Sequence, residues 1–259
     1  MAENLHITAL QTSLYWENAE KNRQHFDKII STIKNTDVII LPEMFTTGFT
    51  MNTANVYEEM KGISVEWLKQ KAKEKNACVT GSLIIKENNS YYNRMIWAEP
   101  NGKITHYDKR HLFRMAEEHQ SFSGGKERVI VNYKGWRILL QVCYDLRFPV
   151  FSRNKNDYDI AIYVANWPMA RNSAWKTLLQ ARAIENLSYV VGVNRIGEDG
   201  KSIPYSGDSA IIDFKGNYLQ QAKAQEEAVI STQLSHQELV EFREKFPAHL
   251  DADKFKIEP

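Results

Sequence analysis

Two cysteines, Cys78 and Cys143, are all that the 259 residues contain, and neither lies in a C-x-x-C spacing. That excludes a disulfide framework and argues against a zinc site; both thiols are expected to be reduced. Long apolar runs are missing as well. No stretch approaches the ~20 residues of a membrane span, so no membrane partner is expected. The N-terminus, MAENLHITALQ, lacks the basic-then-apolar pattern of a secretory leader, and a cytoplasmic protein is expected. Charge of one sign is also lacking: 33 basic residues against 32 acidic give a formal +1. A polyanion would find no electrostatic footprint, which argues against nucleic acid as a partner. The pair Gly124-Gly125 lacks the Gly-Lys-Ser/Thr ending of a phosphate loop, so nucleotide binding is discounted. Linkers, low-complexity segments and obvious repeats are absent. One domain is therefore expected over residues 1–259, with 247–259 as a C-terminal tail without periodicity.

The 43% hydrophobic content is ample for a core. Its periodicity alternates between strand and helix. Leu5 to Gln11 reads as a strand; Asn18 caps a helix with Phe26, Ile29, Ile30 and Ile33 on one face; Val38 to Leu41 is a buried strand. Ser64 is expected to cap a second helix carrying Val65, Leu68 and Ala72, followed by the strand Cys78 to Ile85. This is a βαβαβ beginning. Tyr91 to Ala98 and Ile104 to Tyr107 add an antiparallel meander, and Arg114 to Lys126 reads as a loop or a single helical turn. Val129 to Tyr133, Ile138 to Val142, Asp159 to Val164 and Tyr189 to Asn194 are further strands, with a helix over 173–186 before the last of them. Three short strands near 209–213, 218–221 and 228–234 precede a helix opened by the capping box Ser235-His236-Gln237-Glu238. The fold class is α/β.

Three apolar strands end in LPEMF, QVCYDLRFP and VANWP, and an antiparallel one ends in YDKRHLF. Ligands gather at the carboxyl ends of strands in α/β layers, so Cys143 at such an end is a candidate nucleophile. A thiol at its ordinary pKa is only a few per cent ionised near neutrality, and needs a base or a nearby positive charge. Glu43 can supply the base if burial raises its pKa, and Lys109 the charge. Lys109 and the backbone N–H of Tyr144 are the expected oxyanion donors. Blander readings stand beside these: Cys143 as a small buried hydrophobe, Glu43 in a structural ion pair, Lys109 on a solvated surface. His111 suggests a rival Cys/His pair, but the papain-like signature around the nucleophile is absent. Cys78 is assigned to the core.

LPEMF, YDKRHLF and CYDLRFP, in this order and spacing, resemble the nitrilase superfamily of carbon–nitrogen hydrolases over nearly the whole chain. The resemblance implies a four-layer αββα sandwich that pairs a helical face with a second subunit, and a catalytic set of Glu43 as base, Lys109 as oxyanion stabiliser and Cys143 as nucleophile. It implies no metal or organic cofactor. Many members carry a second glutamate that orients the lysine and the substrate amide; Glu118, seven residues before Gly125, is preferred, with Glu117 in reserve. The helix over 173–186 and the tail after Pro247 are the expected subunit contacts, giving a homodimer.

Within the family, YDKRHLFRM, CYDLRFP and YVANWP are most similar to the bacterial ω-amidase branch. That implies a small-molecule substrate, the terminal amide of a 2-oxo acid such as 2-oxoglutaramate, with 2-oxosuccinamate and the methionine-derived 2-oxo amide in the same class. The alternatives are a carbamoyl amino acid or a small aliphatic amide with the same residues, or an inactive binding protein of the same fold. A carboxylate at the far end of the substrate calls for a cation, and Arg147 and Arg114 are the candidates. Phe113, Trp167 and Met169 are candidates for the pocket wall, with ordinary core packing as their alternative. The chain departs from several amidase relatives in having Val150 where they have Glu.

Overall fold

The computed structural model describes residues 2–257 and opens with β1 (Leu5–Gln11), α1 (Ala19–Thr32), β2 (Val38–Ile40), the single turn α2 (Thr53–Val56), α3 (Ile63–Lys75) and β3 (Cys78–Glu87). The meander β4 (Ser90–Ala98) and β5 (Ile104–Asp108) follows, then α4 (Glu118–Ser121), β6 (Ile130–Tyr133), β7 (Trp136–Val142) and α5 (Pro149–Ser152). The rest is β8 (Ile160–Ala165), α6 (Asn172–Asn186), β9 (Tyr189–Asn194), β10 (Ile196–Glu198), β11 (Pro204–Ser206), β12 (Ala210–Ile212), β13 (Tyr218–Gln221), β14 (Ala228–Leu234) and α7 (His236–Lys245).

Among the described residues the strands form two six-stranded sheets, ordered β14-β1-β2-β3-β4-β5 and β13-β12-β9-β8-β7-β6. Each has a parallel centre: Ile7 pairs with Val38 and Val38 with Cys78 in the first, Ile138 with Ile160 and Ile160 with Tyr189 in the second. Strand alternation sorts the side chains into layers. In β2 and the residue after it, Val38 and Ile40 point into the core between the sheets, while Ile39 and Leu41 point the other way, under α1 and α3. Phe26 and Ile30 of α1 and Val65, Leu68 and Ala72 of α3 close that outer core. On the second sheet, Trp175, Leu179 and Ala183 of α6 pack down, and Gly192 of β9 admits them: a Cβ there would lie 2.4 Å from Leu179. The layers run helix, sheet, sheet, helix, as the resemblance implied. Cys78 sits fully buried between the sheets.

Local signals fared unequally. Asn18 caps α1 by accepting the Lys21 N–H at 3.0 Å. Ser64 does not cap α3; Gly62 does, and Ser64 lies inside the first turn, where its N–H and hydroxyl are taken by the Glu58 carboxylate. A carboxylate six residues upstream replaced the expected cap because an anion also satisfies a helix N-terminus. Ser235 accepts the Glu238 N–H at 3.2 Å, the forward half of the capping box. The segment 114–126 forms two short turns rather than one, a 3₁₀ turn over Arg114–Ala116 and then α4. The β10/β11 hairpin was not anticipated: its strands are three residues long, below the reach of periodicity. The tail contains one turn, Ala248–Asp251, and returns to its own chain where the Lys155 ammonium donates to the Phe255 carbonyl and covers its ring. Residues 258 and 259 of the expected tail, and residue 1 of the expected domain, lie outside the described residues. No helix among the described residues is long and apolar enough to cross a membrane.

Candidate active site

The carboxyl ends of β2, β7 and β8 meet the end of β5 at one edge of the sandwich, and each delivers one polar side chain. After β2 the chain turns at Met44, whose left-handed backbone (φ 43°) is held by its N–H donating to Ser82 Oγ at 2.8 Å. Glu43 just before it is fully buried. Its Oε1 accepts from Lys109 Nζ at 3.0 Å and from Asn93 Nδ2 at 2.7 Å; its Oε2 accepts the Asn166 backbone N–H at 2.7 Å. Lys109, the residue after β5, is equally buried and also donates to both oxygens of Glu118 at 2.9 Å. Glu118 accepts the Phe113 N–H at 2.6 Å. Glu117 turns outward: it is exposed, and its left-handed φ of 58° is the bend that swings Glu118 inward.

Gly125 ties this loop down. Its N–H donates to the Lys109 carbonyl at 2.9 Å, and a Cβ on it would lie 2.1 Å from the Asp108 carbonyl oxygen. Gly125 of the Gly124-Gly125 pair is thus a packing contact beside Lys109. Gly125→Ala is expected to cost about 3 kcal/mol through overpacking against backbone, read as a lower urea midpoint at unchanged slope.

Cys143 begins a 3₁₀ turn, Cys143–Arg147, in left-handed backbone (φ 46°), a conformation that costs a non-glycine residue about 1–2 kcal/mol. The buried Asp145 holds the turn. It accepts the Val142 N–H at 2.9 Å, the Tyr107 hydroxyl at 2.8 Å and the His111 N–H at 3.0 Å. His111 Nδ1 is 2.7 Å from the same carboxylate, and its ring stacks on Phe148 at 3.8 Å. His111 therefore joins the Lys109 loop to the Cys143 turn instead of facing the thiol. Cys143 Sγ lies 3.9 Å from the Asn166 carbonyl oxygen.

Electrostatics separate the groups. Burial pushes the Cys143 thiol well above its ordinary range, the Glu43 charge adds to that, and Lys109 opposes it. At rest it is a thiol. Burial would lower the Lys109 ammonium, but the Glu118 and Glu43 carboxylates outweigh it, and the ammonium is held above its usual range. Burial raises the Glu118 carboxyl against the pull of Lys109.

Above Cys143 opens a cavity of about 660 Å³, solvent at its mouth included. Phe49, Phe113, Tyr144 and Trp167 wall it, and Arg147, Arg171 and Lys201 bring positive charge to it. Arg147 covers the Trp167 ring and Arg171 the Phe113 ring, each at 5.1 Å. Among the described residues none of these three cations has a carboxylate partner, because the one acid lining the cavity, Asp199, is spent on its own turn. It accepts the Lys201 and Ile203 N–H groups and the Tyr205 hydroxyl. Arg114 and Met169 do not line the cavity: Arg114 is exposed, and Met169 contacts Gln225. Both directions were set by short 3₁₀ turns whose orientation no sequence period reports. No group of three or more His, Cys, Asp or Glu among the described residues is placed to hold a metal.

Sequence reasoning passed over Asn93, Asn166, Asp145, Arg171 and the hairpin residues. Asn93 left a signal: it shares the inward row of β4 with Met95 and Trp97, and a polar residue in an apolar row asks for a buried partner.

A carbon-nitrogen hydrolase family profile matches residues 6–244. The chain is 50% identical over 254 residues to the ω-amidase YafV of Yersinia enterocolitica, covering 98% of each. It is 33% identical to the 2-oxoglutaramate amidase of Bacillus subtilis, covering 96% of this chain and 97% of that one. Among solved structures, XC1258 from Xanthomonas campestris, a CN-hydrolase superfamily protein with an arsenic adduct in its active site, superposes with a TM-score of 0.97 at 44% identity. The match covers 99% of this chain and all of that one.

Proposed function

Because the chain belongs to the carbon–nitrogen hydrolase family, we propose that it is a cysteine-dependent ω-amidase, converting 2-oxoglutaramate and water to 2-oxoglutarate and ammonia. One observation carries the reading: a thiol at the floor of a cavity, beside a carboxylate and an ammonium, with three cations above it that lack a carboxylate partner among the described residues.

Glu43 takes the thiol proton as Sγ attacks the amide carbonyl, which suits a thiol that is not ionised at rest. Lys109 Nζ and the Tyr144 N–H receive the oxyanion; the first N–H groups of a helical turn have no partner within the turn. Glu43 then passes its proton to the departing nitrogen, ammonia leaves, and a thioester remains. Glu43 next activates water, which attacks the thioester carbonyl; the acid is released and the thiol restored. Glu118 orients Lys109 and the substrate amide.

The carboxylate at the other end of the substrate is assigned to Arg147. Arg147→Ala is expected to lower kcat/KM for 2-oxoglutaramate about 10- to 100-fold, the range of a charge-assisted hydrogen bond. Turnover of an uncharged amide of similar length should change little, and equal losses on both would remove Arg147 from this role. The function itself is tested by ammonia release from 2-oxoglutaramate beside a carbamoyl amino acid and a simple nitrile. Carbon dioxide released with the ammonia would move the substrate to the carbamoyl class.

The reading takes the chain as one cytoplasmic domain acting as a homodimer. Ile184 of α6 and Val150 of α5 are more than half exposed, and Arg153, just after α5, donates to the Glu185 carbonyl of α6, so both apolar side chains lie on the helical side of the second sheet. A second copy covering that face would remove them from water. Sedimentation velocity tests the dimer.

A further inference from the structure

Asn93 stands in the inward row of β4, 1% exposed, and faces the two glutamates. Its Nδ2 lies 2.7 Å from Glu43 Oε1 and 3.4 Å from Glu118 Oε1; Lys109 Nζ reaches the same two oxygens at 3.0 and 2.9 Å. Two donors and two acceptors therefore alternate around a small ring, one donor charged and the other neutral. Charge dictates the orientation of the amide, since turning it over would set Oδ1 against two carboxylate oxygens. Oδ1 itself has no partner among the described residues. The amide thus leaves a buried acceptor unsatisfied, at a cost, while its NH₂ group meets both carboxylates.

The other oxygen of Glu43 looks elsewhere. Oε2 accepts the Asn166 N–H, and the carbonyl of that same Asn166 is 3.9 Å from Cys143 Sγ. Oε1 lies between Asn93 and Lys109, whereas among the described residues Oε2 meets only Asn166, whose N–H donates at 2.7 Å and whose Nδ2 lies 3.5 Å away; the Glu43 carboxylate is also the hydrogen-bonding partner that, with its charge, raises the Cys143 thiol. We propose that Asn93 is a positioning residue: it pins Oε1 of Glu43 beside Lys109, so that Oε2 is the oxygen that takes the Cys143 proton, and it does this without adding charge. This rests on the reading of Glu43 as the base. The step moves one proton from Sγ to Oε2 and leaves the thiolate. The charged and titratable groups facing Glu43 are Lys109 from the end of β5, Glu118 from α4 and Cys143 from the end of β7; Asn93 and Asn166 are its neutral partners.

The test uses two variants that move in opposite directions with pH. A hydrogen bond to a carboxylate favours its charged form, so the activity of Asn93→Ala relative to wild type is lowest in acid and recovers as pH rises. In Asn93→Asp the new carboxyl, buried against two others, keeps its proton in acid and donates O–H in place of the amide. Its relative activity is highest in acid and falls as pH rises. The readout is the rate of Cys143 alkylation by iodoacetamide from about pH 5 to 9, by mass spectrometry, alongside kcat/KM; the buried Cys78 serves as the internal control. Asn93→Ala is expected to react about 10-fold more slowly at the acid end, with its acid limb shifted up by about one pH unit. Profiles parallel to wild type in both variants, whatever the overall loss, would reduce Asn93 to a structural residue. If Asn93→Ala does not fold, the near-isosteric Asn93→Asp decides alone: a flat ratio to wild type across the range overturns the proposal. Alkylation requires no amide substrate, so a chain inactive on every 2-oxo amide would sink the functional reading and still report on Asn93.

Discussion

Cys143→Ala is expected to lower kcat on the amide substrate by at least about 10⁴-fold, the scale of losing a covalent nucleophile. The protein should stay folded, because the side chain removed is small. Both residues occupy the same left-handed backbone (φ 46°), so the substitution neither relieves nor adds strain. Cys143→Gly separates the two contributions: it is equally inactive but expected to be about 1 kcal/mol more stable than the alanine variant, since glycine accepts positive φ freely. Ammonia release and urea denaturation on the three proteins check both halves. An alanine variant with a tenth of wild-type turnover would rule out the thioester route. A glycine variant less stable than the alanine one would show that the turn held by Asp145 is not strained.

Lys109→Met should be the most damaging change to stability, at about 3–5 kcal/mol, because it leaves buried carboxylates without their cation. Glu43 and Glu118 both contact Nζ and are both fully buried, so neither can turn to water. With Lys109 as the proposed oxyanion donor, the same variant is expected to lose about 10²- to 10³-fold in kcat. The pair Lys109→Met with Glu118→Gln distinguishes the effects: removing one orphaned charge should restore much of the stability and none of the activity. The pH dependence has a definite sign. Burial already raises the Glu118 carboxyl, so its proton is held more tightly in the folded chain than in the unfolded one. A carboxyl raised on folding favours the fold at low pH and loses that contribution as pH rises through its folded pKa. With Lys109 gone nothing of opposite charge opposes the rise, and Lys109→Met should gain stability relative to wild type as pH falls from about 8 to about 5. A stability difference independent of pH would mean that the two glutamates are not the cause.

The strands, the main helices and the residues that meet at the site were legible because each rests on a short-range rule. Val38 to Leu41 announces a strand covered on both faces, and the ends of such strands are where ligands collect. Glu43, Lys109 and Cys143 are named by that rule together with the chemistry of a thiol that needs a base and a charge. The choice of Glu118 over Glu117 was open to resemblance but not to spacing alone. Adjacent residues differ in direction only through backbone angles, and the left-handed turn at Glu117 is what separates them. The cations expected at the cavity show the same limit from the other side. Arg147 reaches the cavity and Arg114 does not, while Arg171 and Lys201 arrive from a 3₁₀ turn and a hairpin tip with no periodic signal.

What the sequence by itself determined is the layer pattern and the chemical types at the strand ends, since both follow from periodicity of 2 or 3.6 residues and from side-chain chemistry. Only the tertiary structure decided which polar atoms touch. Asn93 and Glu43 are 50 positions apart and Asn166 and Glu43 are 123 apart, yet hydrogen bonds of 2.6–2.7 Å join each pair. The first contact depends on the register of β2 and β4 across β3 in one sheet, the second on how the two sheets face each other, and no local stretch of chain encodes either.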